Sequence, residues 1–390
     1  MSTIKVNSIK NTSTDDGGIA IDNSGHVQID GQQLPTAGAL SSRNMVDNGA
    51  MVIAQRGTSE SGLTDSPAFV VDRFSYRRSG AWGTNSFTMS QQSSGAPGGF
   101  THFLRLAQSG TAAAPPSDAF CSLNTGLEGF NVAQAGFGTS SAKDVTLSFY
   151  AKVSQAGTYC VNLANGSANQ HYVVEFSLTS SWARYEATIP ARTTGTWTVD
   201  NTRAMELQFI VSADSDSTIH SGSTGWNTSA DRYTSNQTEA FASNSGATFD
   251  LCGVQLEVGG KSTSYEHEPY SVTLAKCQRY FQQFGRDAAG TDRIIGSGNN
   301  STTPLFGFRF PYIMRATPTL NYYGGNVDGG NFQVHCPGET STSQTAPGAV
   351  AGAKSVRFNF SGQSGGATKP HFIDLGTGAN QFGFTADADF

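Results

Sequence analysis

The sequence predicts an all-β protein: a short N-terminal β arm, a central jelly-roll β-sandwich, a short helix and a smaller C-terminal β-sandwich. Three observations predict it. Apolar and polar residues alternate in one short run after another, the period of a half-buried strand. Of the 390 residues, 45 are glycine, and Ser, Thr and Asn are abundant, so turn formers separate the runs. Only 14% of residues are charged, too few for a typical helical enzyme, while 11% are aromatic, too many for a disordered chain.

Residues 1–35 stand apart. Ile4 and Val6 alternate in one strand, and Ile19–Ile21 and Val27–Ile29 flank Asp22-Asn23-Ser24-Gly25, a hairpin-turn signal. So short an arm has no core of its own, and it is expected either to attach to another protein or to dock on its own chain. Residues 36–43 read as a linker. Residues 44–270 form the sandwich. Val145, Leu147, Phe149, Ala151 and Val153 alternate without a fault, and Gly157 is a turn residue before Tyr159, Val161 and Leu163. Tyr172 to Leu178, Tyr185 to Ile189 and Met205 to Val211 repeat the pattern. Near the end, Phe249 and Leu251 give way to Val254, Leu256 and Val258, a one-residue change of phase at Gly253 that signals a β-bulge.

Residues 271–284 are expected to be helical, with Leu274, Cys277, Phe281 and Phe284 on one face and Ser271 or Thr273 as the cap. Strands return in 285–390: Phe306, Phe308 and Phe310; Val356, Phe358 and Phe360; Phe382, Phe384 and Phe390. Their strand period marks these phenylalanines as core and not as ligand platforms. Five cysteines, Cys121, Cys160, Cys252, Cys277 and Cys336, are widely spaced and lack C-x-x-C, so buried free thiols are expected, as suits folding in a reducing cytoplasm.

Several segments carry a resemblance in their order along the chain. NMVDNGAMVIAQRG (44–57), VVDRFSY (70–76), VTLSFYAK (145–152), WARYEATIPARTTGTW (182–197), GVQLE (253–257) and LAKCQRYF (274–281) resemble the jelly-roll domain of bacteriophage tail-fibre and other appendage proteins, notably of marine phages. The first 35 residues resemble the amino-terminal stretch of such proteins, and MRATPTL (314–320) a strand common in their tips. The resemblance implies a structural virion protein: an arm bound to other virion proteins through residues 1–35, a sandwich body and a tip domain facing the host. It implies adhesion to a cell-surface glycan or receptor, no catalysis, and assembly in the host cytoplasm before exposure on the particle. A homotrimer is expected, since glycine-rich domains with open strand edges gain by burying them symmetrically. A head fibre or capsid-decorating protein is the first alternative and a glycan depolymerase the second; the second usually shows the short repeats of a parallel β-helix, which are missing.

Chemistry-bearing motifs are sparse. Gly260-Lys261-Ser262 ends like a phosphate loop, but Gln255 stands where the first glycine belongs. Glu266-His267-Glu268 offers an acid–base or metal trio, yet in the resembling family the stretch is a structural joint, which points to a salt-bridged surface histidine. Asp214-Ser215-Asp216 has calcium-type oxygens without the rest of a loop. Carbohydrate-binding modules, which the sandwich distantly resembles, often place a calcium-ligating Asp where Cys252 stands here; Asp250 is a weak substitute. No metal and no cofactor is expected. Glycan binding by a sandwich needs exposed aromatic faces. Trp226, Tyr233 and Trp82, in or beside polar loops, are the candidates, whereas Trp182 and Trp197 read better as plugs at the rim of the core. The net charge of −6 argues against nucleic acid, and no apolar run is long enough to enter a membrane as a span. The opening MSTIKVNSIK lacks the apolar stretch of a signal peptide.

Overall fold

The computed structural model describes residues 8–10, 18–21, 27–29, 32–33, 41–63, 67–214, 223–229, 231–238, 240–285, 293–298, 304–323, 332–334, 342–344, 348–359, 370–374 and 383–390. The chain divides into two compact units, Met1–Thr273 and Leu274–Phe390. At the N-terminus, Ser8–Lys10, Gly18–Ile21, Val27–Ile29 and Gln32–Gln33 make a four-stranded antiparallel sheet. Ile21 pairs with Val27, as the hairpin signal predicts. Ile4, Val6 and the turn itself lie outside the described residues, as does most of the linker.

The body is a sandwich of two antiparallel sheets. One has seven strands, in the order Gly225–Asn227, His171–Leu178, Gly157–Asn165, Arg203–Ala213, Phe120–Glu128, Ser75–Ser79 and Ala68–Phe69. The other has six: Ala183–Ile189, Val145–Val153, Thr248–Val258, Phe103–Gln108, Phe87–Gln92 and Ser59–Glu60. Between Phe103 and Val258 the long strands repeatedly cross from one sheet to the other, the jelly-roll pattern. Inward alternation builds one core: Val145, Leu147, Phe149, Ala151 and Val153 meet Leu163, Leu207 and Phe209 from the facing sheet. Phe149 touches Phe176 and Phe209 edge-on at 5.0 and 5.1 Å.

The change of phase at Gly253 is a true bulge. Tyr150 pairs with Cys252 but Ser148 pairs with Gln255, so the strand gains a residue there. Gly253 has φ +60°, and a Cβ would lie 2.7 Å from Phe100 Cζ and 3.0 Å from Tyr150 Cδ2. Only glycine meets both demands.

The helix is shorter than the sequence suggests. It spans Tyr270–Gln278, nine residues, and the Pro269 carbonyl accepts the Val272 and Thr273 N–H groups. Ser271 and Thr273 therefore sit inside the first turn and not at the cap. Phe281 and Phe284 are not on a helical face: Phe281–Phe284 is a strand paired with Gly383–Asp387. The pairing overrides a periodicity that spans both elements, because two phenylalanines three apart suit a helix face and a twisted strand alike. Cys277 is buried as expected.

The C-terminal unit is the smaller sandwich. Gly348–Gly352, Ser355–Asn359, Pro304–Arg309, Arg293–Gly298 and Pro370–Asp374 form five strands, and Phe281–Phe284, Gly383–Asp387 and Thr319–Tyr323 form three. Phe306, Phe310, Phe358 and Phe384 fill the space between them, and Phe308 packs against that core. Phe360 and Phe382 lie outside the described residues.

Candidate functional site

Two of the three aromatic candidates are interior. Trp82 is 3% exposed, donates its indole N–H to the Ser79 carbonyl at 2.7 Å and packs edge-on against Phe87. Tyr233 is 0% exposed and belongs to a small cluster with Phe120, Cys160 and Ile210. Neither presents a ring face to a ligand, which corrects their reading as glycan residues. Polar sequence flanks mark a loop, but these loops fold back over apolar surface.

Tyr233 instead helps roof the outer face of the seven-stranded sheet. Under that roof the Glu206 carboxylate takes hydrogen bonds from Arg203 (3.0 Å) and Gln208 (2.7 Å), and Asn162 bonds Gln208 at 2.9 Å. His171 completes the row: Nε2 lies 3.0 Å from the Ala168 carbonyl and Nδ1 3.1 Å from the Asn162 amide. Burial, the largest cause, holds His171 below its ordinary pKa. These side chains bond one another, and the covering segment is tied to the same sheet where Gln237 accepts the Cys160 N–H at 2.6 Å. They are buried polar structure and not an open groove.

Trp226 is different. It is half-buried on the edge strand Gly225–Asn227, one residue from which His171 pairs with Asn227. Around it gather Tyr172 at 5.2 Å, Phe137 at 6.0 Å and Trp197 at 6.1 Å, all edge-on. The Arg192 guanidinium lies over the Trp226 ring at 5.2 Å and donates through Nε to Gln170 Oε1 at 2.8 Å. Both indole N–H groups are spent on backbone carbonyls, Trp226 on Pro190 and Trp197 on Thr194, each at 3.0 Å. The rings are thus fixed, each partly exposed, with an amide and a guanidinium beside Trp226.

The lip continues to residues that the sequence reading missed. Phe130, on the short helix Gly129–Val132, is 61% exposed, and Val199 is 63% exposed. The two backbones meet there: Phe130 donates its N–H to the Asp200 carbonyl at 3.1 Å. Glycines allow the close approach. A Cβ on Gly129 would fall 2.6 Å from Asp200 N, and one on Gly138 2.9 Å from Trp197 Cδ1. Asp200 accepts the Thr202 hydroxyl at 2.6 Å and the Thr202 N–H at 2.8 Å, bonds that hold its carboxyl below the usual carboxylate range. The lip therefore offers aromatic surface, an ionised carboxylate, a guanidinium and an amide. That mix suits a polyhydroxylated ligand, which needs both C–H stacking and paired donors and acceptors. The only signal for Phe130 in the sequence was an aromatic residue directly after a glycine, which is weak.

The other sequence candidates are structural. Glu266 accepts the backbone N–H groups of Ser42, Arg43 and Asn44 at 2.6, 2.6 and 3.0 Å. His267 is not ion-paired: it packs against Phe100 at 5.0 Å and Tyr265 at 4.9 Å. A cleft of about 200 Å³ opens beside them, but the Asn44 and Asn48 amides that line it are bonded to backbone groups of the sandwich. Asp250, buried beneath the outer face of the six-stranded sheet, is bound by Arg105 and Lys152. Asp214 accepts the Asp118 N–H at 3.0 Å, while Ser215 and Asp216 lie outside the described residues. Among the described residues no cluster of His, Cys, Asp or Glu is arranged to hold a metal. Among the described residues no helix is long and apolar enough to cross a membrane. Cys121, Cys160, Cys252 and Cys277 are buried and in no disulfide among the described residues, whereas Cys336 lies outside them.

No known protein family matches the chain, and no curated protein matches it in sequence. Solved structures do. The Family 11 carbohydrate-binding module of a cellulosomal cellulase of Clostridium thermocellum is 15% identical over 52% of this chain and 97% of its own, with a TM-score of 0.28. The enzymatically active domain of bacteriophage CBA120 tailspike protein 4 is 10% identical over 56% of this chain and 22% of its own, with a TM-score of 0.30. TmCBM61, solved with β-1,4-galactotriose, is 12% identical over 56% of this chain and 99% of its own, with a TM-score of 0.27. Values this low carry no assignment.

Proposed function

We propose that the protein is a non-catalytic structural component of a bacteriophage virion, a tail fibre or similar receptor-binding appendage, and that its sandwich adheres to host-surface glycan. The carrying observation is the lip of Phe130, Val199, Trp197 and Trp226, apolar surface left open beside Arg192, Gln170 and Asp200. An exposed phenylalanine on such a rim suits a ring-stacking partner. The virion assignment is supported by the ordered motifs between residues 44 and 281, which resemble phage appendage proteins. In this reading residues 1–35 hold other virion proteins, three copies associate, and many weak sites act together at high effective concentration.

Affinity electrophoresis of the full chain through gels containing host-surface polysaccharide tests the adhesion. Retardation is expected, with most of it lost in Phe130→Ala combined with Trp226→Ala. Equal mobility with and without polysaccharide removes the reading, and release of reducing sugar makes the protein a depolymerase. Immunogold labelling of particles distinguishes tail from head mounting, and unlabelled particles refute the virion assignment. Light scattering reporting a monomer refutes the trimer.

A further inference from the structure

The C-terminal unit carries a second surface with no counterpart in the lip. In its five-stranded sheet, Phe306, Val356 and Phe358 point inward, so the intervening Gly307, Arg309, Ser355 and Arg357 face the other way and are exposed. Register places a row across the strands: Val350 pairs with Arg357, Arg357 with Gly307, and Ile295 stands beside Gly307 because Gly296 pairs with Phe306. Ile295 is 72% exposed and Val350 57%, and a Cβ on Gly307 would meet nothing within 4 Å. The row is thus bare at Gly307, which has Ile295 on one side and Arg357 on the other, with Val350 beyond Arg357.

Its charge is mostly positive. Strands Arg293–Gly298, Pro304–Arg309 and the hairpin Gly348–Asn359 contain Arg293, Arg309, Lys354 and Arg357 and no Asp or Glu, while the fifth strand, Pro370–Asp374, sets Asp374 opposite Arg293. Arg309 pairs with Ser355, which sets it diagonal to Arg357 on the same face. The Phe310 N–H donates to the Lys354 carbonyl, so Lys354, also exposed, closes the same end. Arg309, Lys354 and Arg357 make no ion pair or side-chain hydrogen bond among the described residues. As diagonal neighbours across one strand pair, Arg309 and Arg357 are close enough to act on one ligand together. The setting is unusual for this chain: residues 274–390 hold nine Lys and Arg against seven Asp and Glu, although the whole protein has a net charge of −6.

We propose that this face binds an acidic polysaccharide, its carboxylates held by Arg309 and Arg357 and its sugar rings lying on Gly307 between Ile295 and Val350. Guanidinium groups match carboxylates in geometry as well as charge. A pyranose ring has an apolar face for the aliphatic side chains, and the bare glycine lets it approach the sheet. The inference rests on the adhesion reading and deepens it, by giving the tip unit its own ligand chemistry, distinct from the lip's.

Affinity electrophoresis of the full chain in polygalacturonate, in a neutral galactan and in single-stranded DNA tests it, at low and at physiological salt. Polygalacturonate is expected to retard the protein at both salt levels. Arg309→Ala with Arg357→Ala is expected to weaken this about tenfold or more, at unchanged melting temperature. Gly307→Leu, which fills the bare position without touching charge, is expected to weaken it too. No retardation by polygalacturonate, or retardation unaffected by the double variant, overturns the proposal. So does DNA binding of equal strength and salt dependence, which indicates charge alone. If polygalacturonate fails while host polysaccharide still binds through Phe130 and Trp226, only this inference falls; if neither binds, the adhesion reading falls with it.

Discussion

Removing the Asp250 carboxylate decides whether the outer face of the six-stranded sheet is locked by an internal ion triad or by a metal. The side chain is fully buried; Arg105 grips it through Nε at 2.7 Å and Nη2 at 2.8 Å, and Lys152 Nζ lies 3.2 Å away. The hydrogen bond to Asp250 holds the Arg105 guanidinium above its ordinary pKa. Two cations thus stand where a calcium ion would have to sit. Asp250→Ala leaves them facing each other without a counter-charge. Losing one partner of a fully buried pair costs about 3–5 kcal/mol. Here the cationic side chains are 30% and 29% exposed, so water relieves part of the cost. About 2–3 kcal/mol is expected, close to the worth of a hydrogen bond to a charged group. At about 2–4 °C per kcal/mol for a unit of this size, the melting temperature falls by roughly 5–10 °C. Asp250→Asn, which keeps one acceptor oxygen, falls by less. Calorimetry with chelator and with added calcium is the assay, and neither addition should move the wild type. A wild-type midpoint raised by calcium, with the rise absent in Asp250→Ala, would make Asp250 a metal ligand and refute the triad.

Three further outcomes follow from the packing. Gly253→Ala forces a Cβ against Phe100 and Tyr150 at φ +60°, and about 1–2 kcal/mol of backbone strain plus about 1–3 of overpacking should appear in urea unfolding; an unchanged midpoint contradicts the bulge. His171 has a folded pKa below its unfolded value, so the unfolded chain binds more protons between the two. Stability is therefore complete above the unfolded value near 6.5 and declines as pH falls toward the folded one; His171→Asn should flatten that decline in thermal melts, and a parallel slope refutes the assignment. Burial pushes the Cys121 thiol up to about 12 and raises Cys160 and Cys252 as well. These three should react with a thiol reagent only after denaturation, and fast labelling of any of them in the native protein contradicts their burial.

Where one apolar face met one core, the sequence was nearly sufficient. Val145 to Val153 alternate because one face meets the core and all five apolar positions enter it, although Thr146 and Ser148 on the other face are buried as well. The bulge at Gly253 was legible for the same reason, since a change of phase has few other causes. The helix end was not legible. Leu274, Cys277, Phe281 and Phe284 keep a helical spacing across a real boundary, and only the distant strand Gly383–Asp387 decides that the last two are extended. Local pattern cannot weigh a partner about a hundred residues away.

The candidate site shows the same limit more sharply. Alternation tells which face of a strand a residue occupies, but not what covers that face. Asn162, Glu206 and Gln208 sit at polar positions between core residues, and the pattern places them in water; the segment carrying Tyr233 covers them. Trp82 and Tyr233, with polar neighbours, look exposed by the same logic and are interior. Phe130 shows the reverse case, an aromatic residue that no pattern singled out and that stands open. For Tyr233 and Phe130 the deciding contact joins segments far apart in sequence, Tyr233 with Phe120 and Phe130 with Asp200, whereas Trp82 packs on nearby Phe87. Adhesive surface on a sandwich is set by which loops fold back and which stand clear. Trp226, singled out for the same polar flanks, lies half-buried on an edge strand, beyond which no described strand pairs.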